Sequence, residues 1–331
     1  HRVDRRQRQM CIRDRIDTYQ LFMKKKIYLI APRGFCAGVT RAVDTVTLTL
    51  EKYGAPVYVK HEIVHNKHVI DELQDKGAIF IEDLNDVPND RPLIFSAHGV
   101  SKKITNQAKE KKNEIIDATC PLVTKVHIQA LKFYNRGYDL ILIGHKNHPE
   151  VEGTMGQVPE EKITLVENIK DVENLKLKND KIAYITQTTL SVEDTSMIIK
   201  ELKKKFPHIE SSPKEDICYA TTNRQNAVKE FASACDAFII VGSNNSSNSN
   251  RLVEVAKNSG CLKSDLIEDA KSLNVDEYKN YKSIGISSGA SVPDILVMSV
   301  IEKLKDSYEL DVEEMTLDKE NVTFRIPSSL R

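Results

Sequence analysis

Short apolar runs alternate with segments of helical periodicity along most of this chain. The runs cover residues 27–30, 58–60, 78–81, 93–96, 114–118, 140–144, 163–166, 183–186, 238–242 and 283–287. Strands that alternate with helices predict parallel sheets joined by right-handed crossovers. We therefore predict an α/β fold whose sheets are mainly parallel.

A cysteine stands at three of the points where an apolar run gives way to a helical segment. These are Cys36 in IAPRGFCAGVTRAV, Cys120 in IIDATCPLVTKV and Cys218 in DICYATTNRQNAV. The carboxyl ends of strands, where helices begin, are the edge at which open α/β sheets bind their ligands. All three cysteines are therefore candidate site residues.

Two further polar positions follow each cysteine in the same order. The second set, at nearly equal intervals, is His65, His148 and Ser246; the third, at looser intervals, is His98, Thr188 and Ser291. The repetition predicts three copies of one supersecondary unit that converge on one centre. We expect three α/β domains at residues 24–120, 121–215 and 216–331, with residues 312–331 as a strand and tail.

The composition and charge of the chain argue against several classes of binding partner and cellular location. The chain has 331 residues and a formal net charge of zero, so an extended nucleic-acid face or a polybasic membrane anchor has little support. No apolar run approaches the roughly 18 residues of a membrane span. Residues 1–23 lack the apolar core of a signal peptide, and we interpret them as a disordered or non-native leader. Six cysteines without regular spacing do not indicate a secreted disulfide scaffold, so we expect a reducing cytoplasm.

The repeated cysteines point to a metal centre. A single cysteine is most often a small buried hydrophobe, and we leave Cys235 and Cys261 in that role and give Cys11 none. Three soft thiolates suit zinc or an iron–sulfur cluster. Structural zinc usually takes four ligands with local C-x-x-C spacing, which this sequence lacks. Three cysteines around a four-iron cluster would leave one iron open to substrate.

A competing motif is HEIVH at residues 61–65, which matches the H-E-x-x-H pattern of zinc peptidases. Within a helix, His61 and His65 would share a face and Glu62 could act as a general base. However, the motif directly follows the predicted strand VYVK, and His65 alone occupies the repeated position. We therefore treat His61 and His68 as structural or supporting residues.

The remaining polar positions describe an anion pocket. The segment NNSSNSN, residues 244–250, precedes a helical segment, so its hydroxyls, amides and backbone N–H groups could hold an anion at a positive helix end. Its candidate ligands are Ser246, Ser247 and Asn248. Neither a Walker motif nor a G-x-G-x-x-G motif accompanies it. The pattern favours a small molecule that carries a diphosphate over a nucleotide.

Glu150 is the candidate acid. It follows His148 by two residues at a strand-to-helix turn, where a carboxylate would also be favoured by the helix dipole alone. The functional interpretation is a proton donor or relay that works with His148. Glu152 lies further into the helix and is the weaker candidate.

The chain contains, in this order, the motifs PRGFCAGV, HEIVHN, SAHGVS, DATCPLVTKVH, GHKNHPEVEGTMGQ, TQTTLS, DICYATTNRQ, GSNNSSNSNRL and SSGASVPDILV. Together they closely resemble one family, the 4-hydroxy-3-methylbut-2-enyl diphosphate reductases, iron–sulfur enzymes of the methylerythritol phosphate route to isoprenoids. The resemblance runs from about Lys26 to Ile326. It departs from the family at Thr40, where an aspartate is common, and before Met23, where the family has no counterpart.

The resemblance implies a trefoil of three α/β units around a central cavity with a 4Fe–4S cluster. It implies cluster ligation by Cys36, Cys120 and Cys218, and diphosphate binding by His65, His98, Ser246, Asn248 and Ser291, with Ser247 and His148 close by. Thr188 and Glu150 would face the substrate hydroxyl. The implied reaction removes that hydroxyl with two electrons and two protons and gives isopentenyl and dimethylallyl diphosphates.

Other functions stay open at this point. A quinolinate synthase-like dehydratase also has three cysteines in a trefoil but should lack TQTTLS and NNSSNSN. An iron–sulfur sensor would need a partner surface or a nucleic-acid-binding element, and neither is visible in the sequence. For a reductase, the absence of a nucleotide or flavin motif predicts a separate electron donor such as ferredoxin or flavodoxin.

Overall fold

The computed structural model describes residues 23–331 and contains thirteen β-strands within that range. The predicted leader before Met23, with Cys11, lies outside the described residues. The strands are β1 Met23–Ala31, β2 Val57–Lys60, β3 Ala78–Ile81, β4 Leu93–Phe95, β5 Ile115–Asp117, β6 Asp139–Ile143, β7 Ile163–Val166, β8 Ile182–Thr186, β9 Glu210–Ser211, β10 Ala237–Val241, β11 Lys263–Ile267, β12 Ser283–Ser288 and β13 Tyr308–Thr316.

Ten α-helices separate these strands in the described part of the chain. They are α1 Ala37–Tyr53, α2 Lys67–Asp75, α3 Lys102–Glu110, α4 Pro121–Asn135, α5 Pro149–Met155, α6 Ile169–Asn174, α7 Val192–Lys205, α8 Tyr219–Ala232, α9 Ser247–Asn258 and α10 Asp294–Lys305. None of them is long and apolar enough to cross a bilayer.

The strands form three sheets in which every pairing is parallel. The orders are β3-β2-β4-β5, β7-β6-β8-β9 and β11-β10-β12-β1-β13. Each order follows one plan, in which the strand that leads to a cysteine lies beside the strand that leads to the third set of polar residues. The predicted α/β class, with three mainly parallel sheets around one centre, is confirmed.

Strand β1 pairs with a distant part of the chain. Ile27 lies opposite Ile284 of β12 on one side and Val312 of β13 on the other. The domain limits predicted from the sequence put this strand with the rest of residues 24–120, whereas its partners come from residues 283–316. The predicted leader ends at Met23, which is the first residue of β1. The domain boundaries near residues 120 and 215 stay predictions.

Alternation along β1 explains its burial. Ile27 and Leu29 face one apolar cluster, with α10, whereas Ile30 faces another, with α8 and α9. Strands that are covered by helices on both faces are buried along almost their whole length in β6, β8 and β10, whereas β1 is exposed at Met23 and Lys24. The helices on both faces fix the strand ends, and these ends carry the site.

The C-terminal segment, residues 317–331, follows β13 and returns to α1. There Arg41 Nε donates a hydrogen bond to Arg325 O (2.8 Å) and Lys52 Nζ donates to Ser329 O (2.6 Å). Leu330 packs on the apolar cluster that α1 shares with β2. The segment therefore connects the third sheet back to the first helix.

Candidate active site

The carboxyl ends of the strands surround a cavity of about 110 Å³. The structure brings every candidate site residue of the sequence analysis to its wall: Cys36, Cys120, Cys218, His65, His98, His148, Glu150, Thr188, Ser246, Ser247, Asn248 and Ser291. A larger cavity of about 570 Å³ lies between α6 and α7, but its walls contain none of the three cysteines. We therefore take the smaller cavity as the candidate active site.

Each cysteine is the N-cap residue of a helix. Cys36, Cys120 and Cys218 precede α1, α4 and α8, respectively. The Cys218 sulfur accepts a hydrogen bond from Thr221 N (3.4 Å) and contacts Thr221 Oγ1 (3.2 Å). The thiols of Cys36 and Cys120 make no such capping hydrogen bond.

Backbone hydrogen bonds join the cysteines to the third set of polar residues. Cys36 N donates to Ala290 O (3.1 Å), Cys120 N donates to Ala97 O (3.0 Å) and Cys218 N donates to Thr188 O (3.0 Å). Each acceptor is either a residue of the third set or its immediate neighbour. Neighbouring parallel strands thus fix the cysteine relative to the polar group in all three units.

The cysteines fit a metal cluster better than they fit an apolar core. All three are free thiols, and burial raises the pKa of Cys120 to about 12 and that of Cys218 to about 11. The charge of Cys36 adds to both shifts, so the thiolates need a positive partner to coexist in this cavity. Among residues 23–331, no three His, Cys, Asp or Glu side chains are arranged to hold a single metal ion.

Gly38 provides the space between two of the thiols. A Cβ atom at this position would lie 2.7 Å from Cys120 Sγ and 3.8 Å from Cys36 Sγ. A side chain here would therefore push into the space that a shared cluster needs. The sequence analysis did not identify Gly38 as a site residue.

Three imidazoles stand together on the cavity wall. The ring centroids of His65 and His98 are 4.2 Å apart, and His148 lies 5.4 Å and 5.8 Å from them. Burial lowers the pKa of His98 well below its usual value and that of His148 to about 3. His98 and His148 are therefore neutral at physiological pH.

Hydrogen bonds assign the histidine tautomers. His148 Nδ1 accepts from Glu150 N (3.1 Å), so the proton of the neutral ring is on Nε2. His65 Nδ1 lies 3.0 Å from Glu62 Oε2 and donates to that carboxylate, which leaves Nε2 buried without a protein partner. Nδ1 therefore faces a carboxylate in His65 and a backbone N–H in His148.

The loop before α9 presents unpaired polar groups. Ser246 is the N-cap residue of α9, and its Oγ accepts from Ser249 N (3.3 Å). The Asn248 side chain is 4% exposed, and neither its Nδ2 nor its Oδ1 has a hydrogen-bond partner. Buried amides are nearly always paired, so this one indicates a ligand position. Ser291 Oγ donates to His65 O (3.1 Å), which connects the loop after β12 to the histidines.

Glu150 is a buried acid held by a single neighbour. Its carboxylate accepts from Thr188 N through Oε1 (2.6 Å) and from Thr188 Oγ1 through Oε2 (3.0 Å). Burial raises the pKa of Glu150 to about 7, and the two hydrogen bonds from Thr188 oppose that shift. The side chain therefore exchanges a proton near neutral pH, as a general acid does.

The HEIVH motif does not form a peptidase site. Residues 61–65 are irregular and end before α2, and His61 has a φ of 62°. His61 Nδ1 lies 2.5 Å from Glu82 Oε2, whereas His65 lines the cavity. The two histidines therefore do not share a helix face, and this alternative is not supported.

The apolar part of the wall was not expected from the sequence. Val39, Val64, Ala97 and Val123 line the cavity beside the polar groups. Thr189 was also missed, although TQTTLS offers two neighbouring threonines. Gln187 Nε2 donates to Thr189 Oγ1 (2.9 Å) and fixes that loop.

Comparisons with known proteins agree with this geometry. The LytB protein family model matches residues 27–305. A 4-hydroxy-3-methylbut-2-enyl diphosphate reductase of Ruegeria sp. is 52% identical over 306 residues, with 92% of this chain and 97% of that protein covered. One of Paracoccus denitrificans is 50% identical at the same coverage.

A solved structure shares the fold. It is the E-1-hydroxy-2-methyl-but-2-enyl-4-diphosphate reductase of Plasmodium falciparum, which is 44% identical, with a TM-score of 0.90. The match covers 93% of this chain and 97% of that one. The resemblance found in the motifs is confirmed, and the chain belongs to the LytB protein family of 4-hydroxy-3-methylbut-2-enyl diphosphate reductases.

Proposed function

We propose that this chain reductively removes the allylic hydroxyl of 4-hydroxy-3-methylbut-2-enyl diphosphate. The substrate takes up two electrons and two protons, the C–O bond breaks, and water leaves, giving isopentenyl or dimethylallyl diphosphate. The observation that carries the proposal is the single cavity that holds three free cysteines, a buried acid with a pKa near 7 and unpaired anion-binding groups. Family membership supports it.

Cys36, Cys120 and Cys218 would hold an iron–sulfur cluster, which we propose to be 4Fe–4S with one iron that lacks a cysteine ligand. When bound, the cluster supplies electrons and a Lewis-acidic iron to the cavity. The fit rests on three free thiols from three units and on the space beside Gly38.

The three histidines of the cavity wall and the residues at the N-terminus of α9 would bind the diphosphate. His148 presents an Nε2–H donor, and Asn248 and Ser246 stand at the N-terminus of α9, where backbone N–H groups favour an anion. His65, His98, Ser247 and Ser291 complete this wall. Neutral donors of this kind hold an anion with directional hydrogen bonds.

Glu150 would deliver a proton to the departing hydroxyl. With a pKa of about 7, the carboxyl is protonated in about half of the molecules at neutral pH. A protonated Glu150 can donate to Thr188 Oγ1, which lies 3.0 Å away, and the threonine hydroxyl can then donate to the substrate oxygen. Water rather than hydroxide leaves, which lowers the barrier to C–O cleavage.

A separate electron carrier completes the reaction. The sequence has no recognisable nucleotide or flavin motif, so we propose an external donor such as ferredoxin or flavodoxin. The cytoplasmic location expected from the cysteine usage stays a prediction.

The test is an anaerobic purification of the full chain. Iron and sulfide are assayed, and the substrate is then supplied with a chemically reduced dye as electron donor. We expect an iron–sulfur absorption spectrum and formation of the two diphosphate products. A protein that is loaded with a cluster but forms neither product would contradict the proposed reaction, and a colourless protein without iron would contradict the cofactor.

A further inference from the structure

Three basic side chains bind the main chain ahead of the three cysteines. Arg41, Lys125 and Arg224 lie on α1, α4 and α8, five or six residues after the cysteine that caps each helix. None of them lines the cavity. Each binds the segment that leads to a different cysteine, and the three contacts follow one cyclic order.

The first contact runs from the Cys36 helix to the Cys120 segment. Arg41 Nη1 donates to Thr119 O (3.0 Å) and Nη2 donates to Asp117 O (3.1 Å). Both acceptors lie between the middle of β5 and Cys120.

The second contact runs from the Cys120 helix to the Cys218 segment. Lys125 Nζ donates to Glu215 O (2.7 Å) and Asp216 Oδ1 (3.1 Å), and more weakly to Lys214 O (3.3 Å). These residues follow β9, where no strand pairing holds the chain. Lys125 therefore adds to the hydrogen bonds from Thr186 N to Asp216 Oδ2 (3.3 Å) and from Cys218 N to Thr188 O (3.0 Å) that also hold this segment.

The third contact closes the cycle, from the Cys218 helix to the Cys36 segment. Arg224 is fully buried, and its Nη2 donates to Gly34 O (2.9 Å), two residues before Cys36. Its Nη1 donates to Ala220 O (3.0 Å) and forms an ion pair with Glu320 (3.0 Å). A buried arginine without these acceptors would be costly, so its position is fixed.

We propose that Arg41, Lys125 and Arg224 form a ring of three positioning residues that sets the spacing of the three cysteine thiols for the cluster. Each side chain joins the helix that one cysteine caps to the segment that leads to another cysteine, so no cysteine can move without straining its contact to the next. Residues that orient metal ligands without touching the metal commonly change metal affinity by 10–100-fold when they are lost. This inference rests on the proposed cluster and goes beyond it, since it assigns residues outside the cavity to its retention.

Lys125 and Arg41 offer matched tests. Lys125→Met is compared with Lys132→Met, an exposed lysine on the same helix α4. Arg41→Met is compared with Lys52→Met, because both residues lie on α1 and both bind the C-terminal segment, whereas only Arg41 also binds the Cys120 segment. Lys125→Arg serves as the conservative rescue.

The measurement is the rate at which anaerobic, cluster-loaded protein loses iron to a chelator, together with the electron paramagnetic resonance spectrum of the reduced cluster and the thermal midpoint. We expect Lys125→Met and Arg41→Met to lose iron about 10-fold faster or more and to shift the spectrum. The two control variants should match the wild type, and Lys125→Arg should recover most of the retention.

Two results would overturn the inference. One is iron loss and spectra in Lys125→Met and Arg41→Met that match the wild type. The other is an equal acceleration in Lys132→Met and Lys52→Met, which would indicate general destabilisation. If Arg41→Met does not fold, the Lys125 comparison decides. A wild-type chain that takes up no cluster would overturn the proposed function as well, whereas an active, loaded wild type with unaffected ring variants would overturn the ring alone.

Discussion

Both carboxylate oxygens of Glu150 accept hydrogen bonds from Thr188, one from the backbone amide and one from the hydroxyl. The two residues come from the carboxyl ends of neighbouring strands, because Glu150 lies in the first turn of α5 after β6 and Thr188 follows β8. The pairing keeps a 3% exposed acid in a fixed orientation toward the cavity. In the proposed reaction, a proton held there leaves through the Thr188 hydroxyl.

Glu150→Gln tests this acid directly. Glutamine keeps the shape and can accept from Thr188, but it has no proton to deliver, so we expect turnover to fall by about 10² to 10⁴-fold. Iron content and diphosphate affinity should not change. Glu152→Gln, on the same helix, is the control and should keep normal turnover. A Glu150→Gln enzyme with wild-type turnover would remove this residue from the mechanism.

The pH dependence follows from the raised pKa of Glu150. Burial favours the neutral carboxyl, so the active acid form is present below about pH 7 and is lost as the pH rises through that value. We expect turnover to fall on the alkaline side of about pH 7, and this limb should be absent from the residual activity of Glu150→Gln. The substrate's own phosphate also titrates near pH 6. The test is therefore the comparison of the pH profiles of the wild type and Glu150→Gln. If turnover falls on the alkaline side in the same way in both proteins, the titrating group is not Glu150.

The sequence was informative about the site because of where parallel sheets place their strand ends. Cys36, Cys120 and Cys218 each follow an apolar run and precede a helical segment. This local pattern was enough to predict that they lie at the carboxyl ends of strands, and the three do line one cavity. The same reasoning applies to His65, Thr188 and Ser291. Their convergence needs only the fold class and the repeat.

Features that depend on distant pairing could not be predicted in this way. The register of Ile27 with Ile284 joins the first strand to the third sheet, and nothing in either short run favours that partner over a nearer one. The ring of basic residues was missed for a similar reason. Arg41 and Lys125 are two of 48 lysines and arginines, and only the tertiary contacts of their side chains distinguish them from the others.

Cysteine replacements should separate the proposed ligands from the buried thiols. Cys120→Ser is expected to abolish or severely deplete iron binding, because an alcohol is a poor ligand for iron at neutral pH. Cys235 is also buried, but its thiol donates to Phe231 O (3.4 Å) within an apolar cluster, so Cys235→Ser should keep its iron. The measurement is iron per chain after anaerobic reconstitution. Equal iron in both variants would contradict the ligand assignment.

Replacement of Asn248 should weaken diphosphate binding without lowering the thermal stability of the protein. Its unpaired buried amide costs the protein on the order of 1–3 kcal/mol, so Asn248→Leu should leave thermal stability of the substrate-free protein unchanged or raise it. Loss of the amide should weaken inorganic diphosphate binding by about 10-fold, or roughly 1.4 kcal/mol.

Asn250 is the contrast to Asn248 on the same helix. Its Nδ2 donates to Asn244 O (2.8 Å) and Ser246 O (2.9 Å), so Asn250→Leu should lower the thermal midpoint. Calorimetry with and without diphosphate measures both variants. A loss of stability in Asn248→Leu as large as that in Asn250→Leu would mean that the Asn248 amide is structural.

Gly38→Ala is expected to separate cluster binding from helix stability. Alanine is a better helix former than glycine, by at most about 1 kcal/mol at this first-turn position of α1, so the thermal midpoint of the apoprotein should stay the same or rise. The added Cβ would lie 2.7 Å from Cys120 Sγ, and the thiol must rotate away from the space between Cys120 and Cys36. We therefore expect a lower iron content after anaerobic reconstitution of a protein that is at least as stable. Full iron loading of Gly38→Ala would show that the cluster does not occupy the space beside residue 38, because no ligand could share that space with the new methyl group.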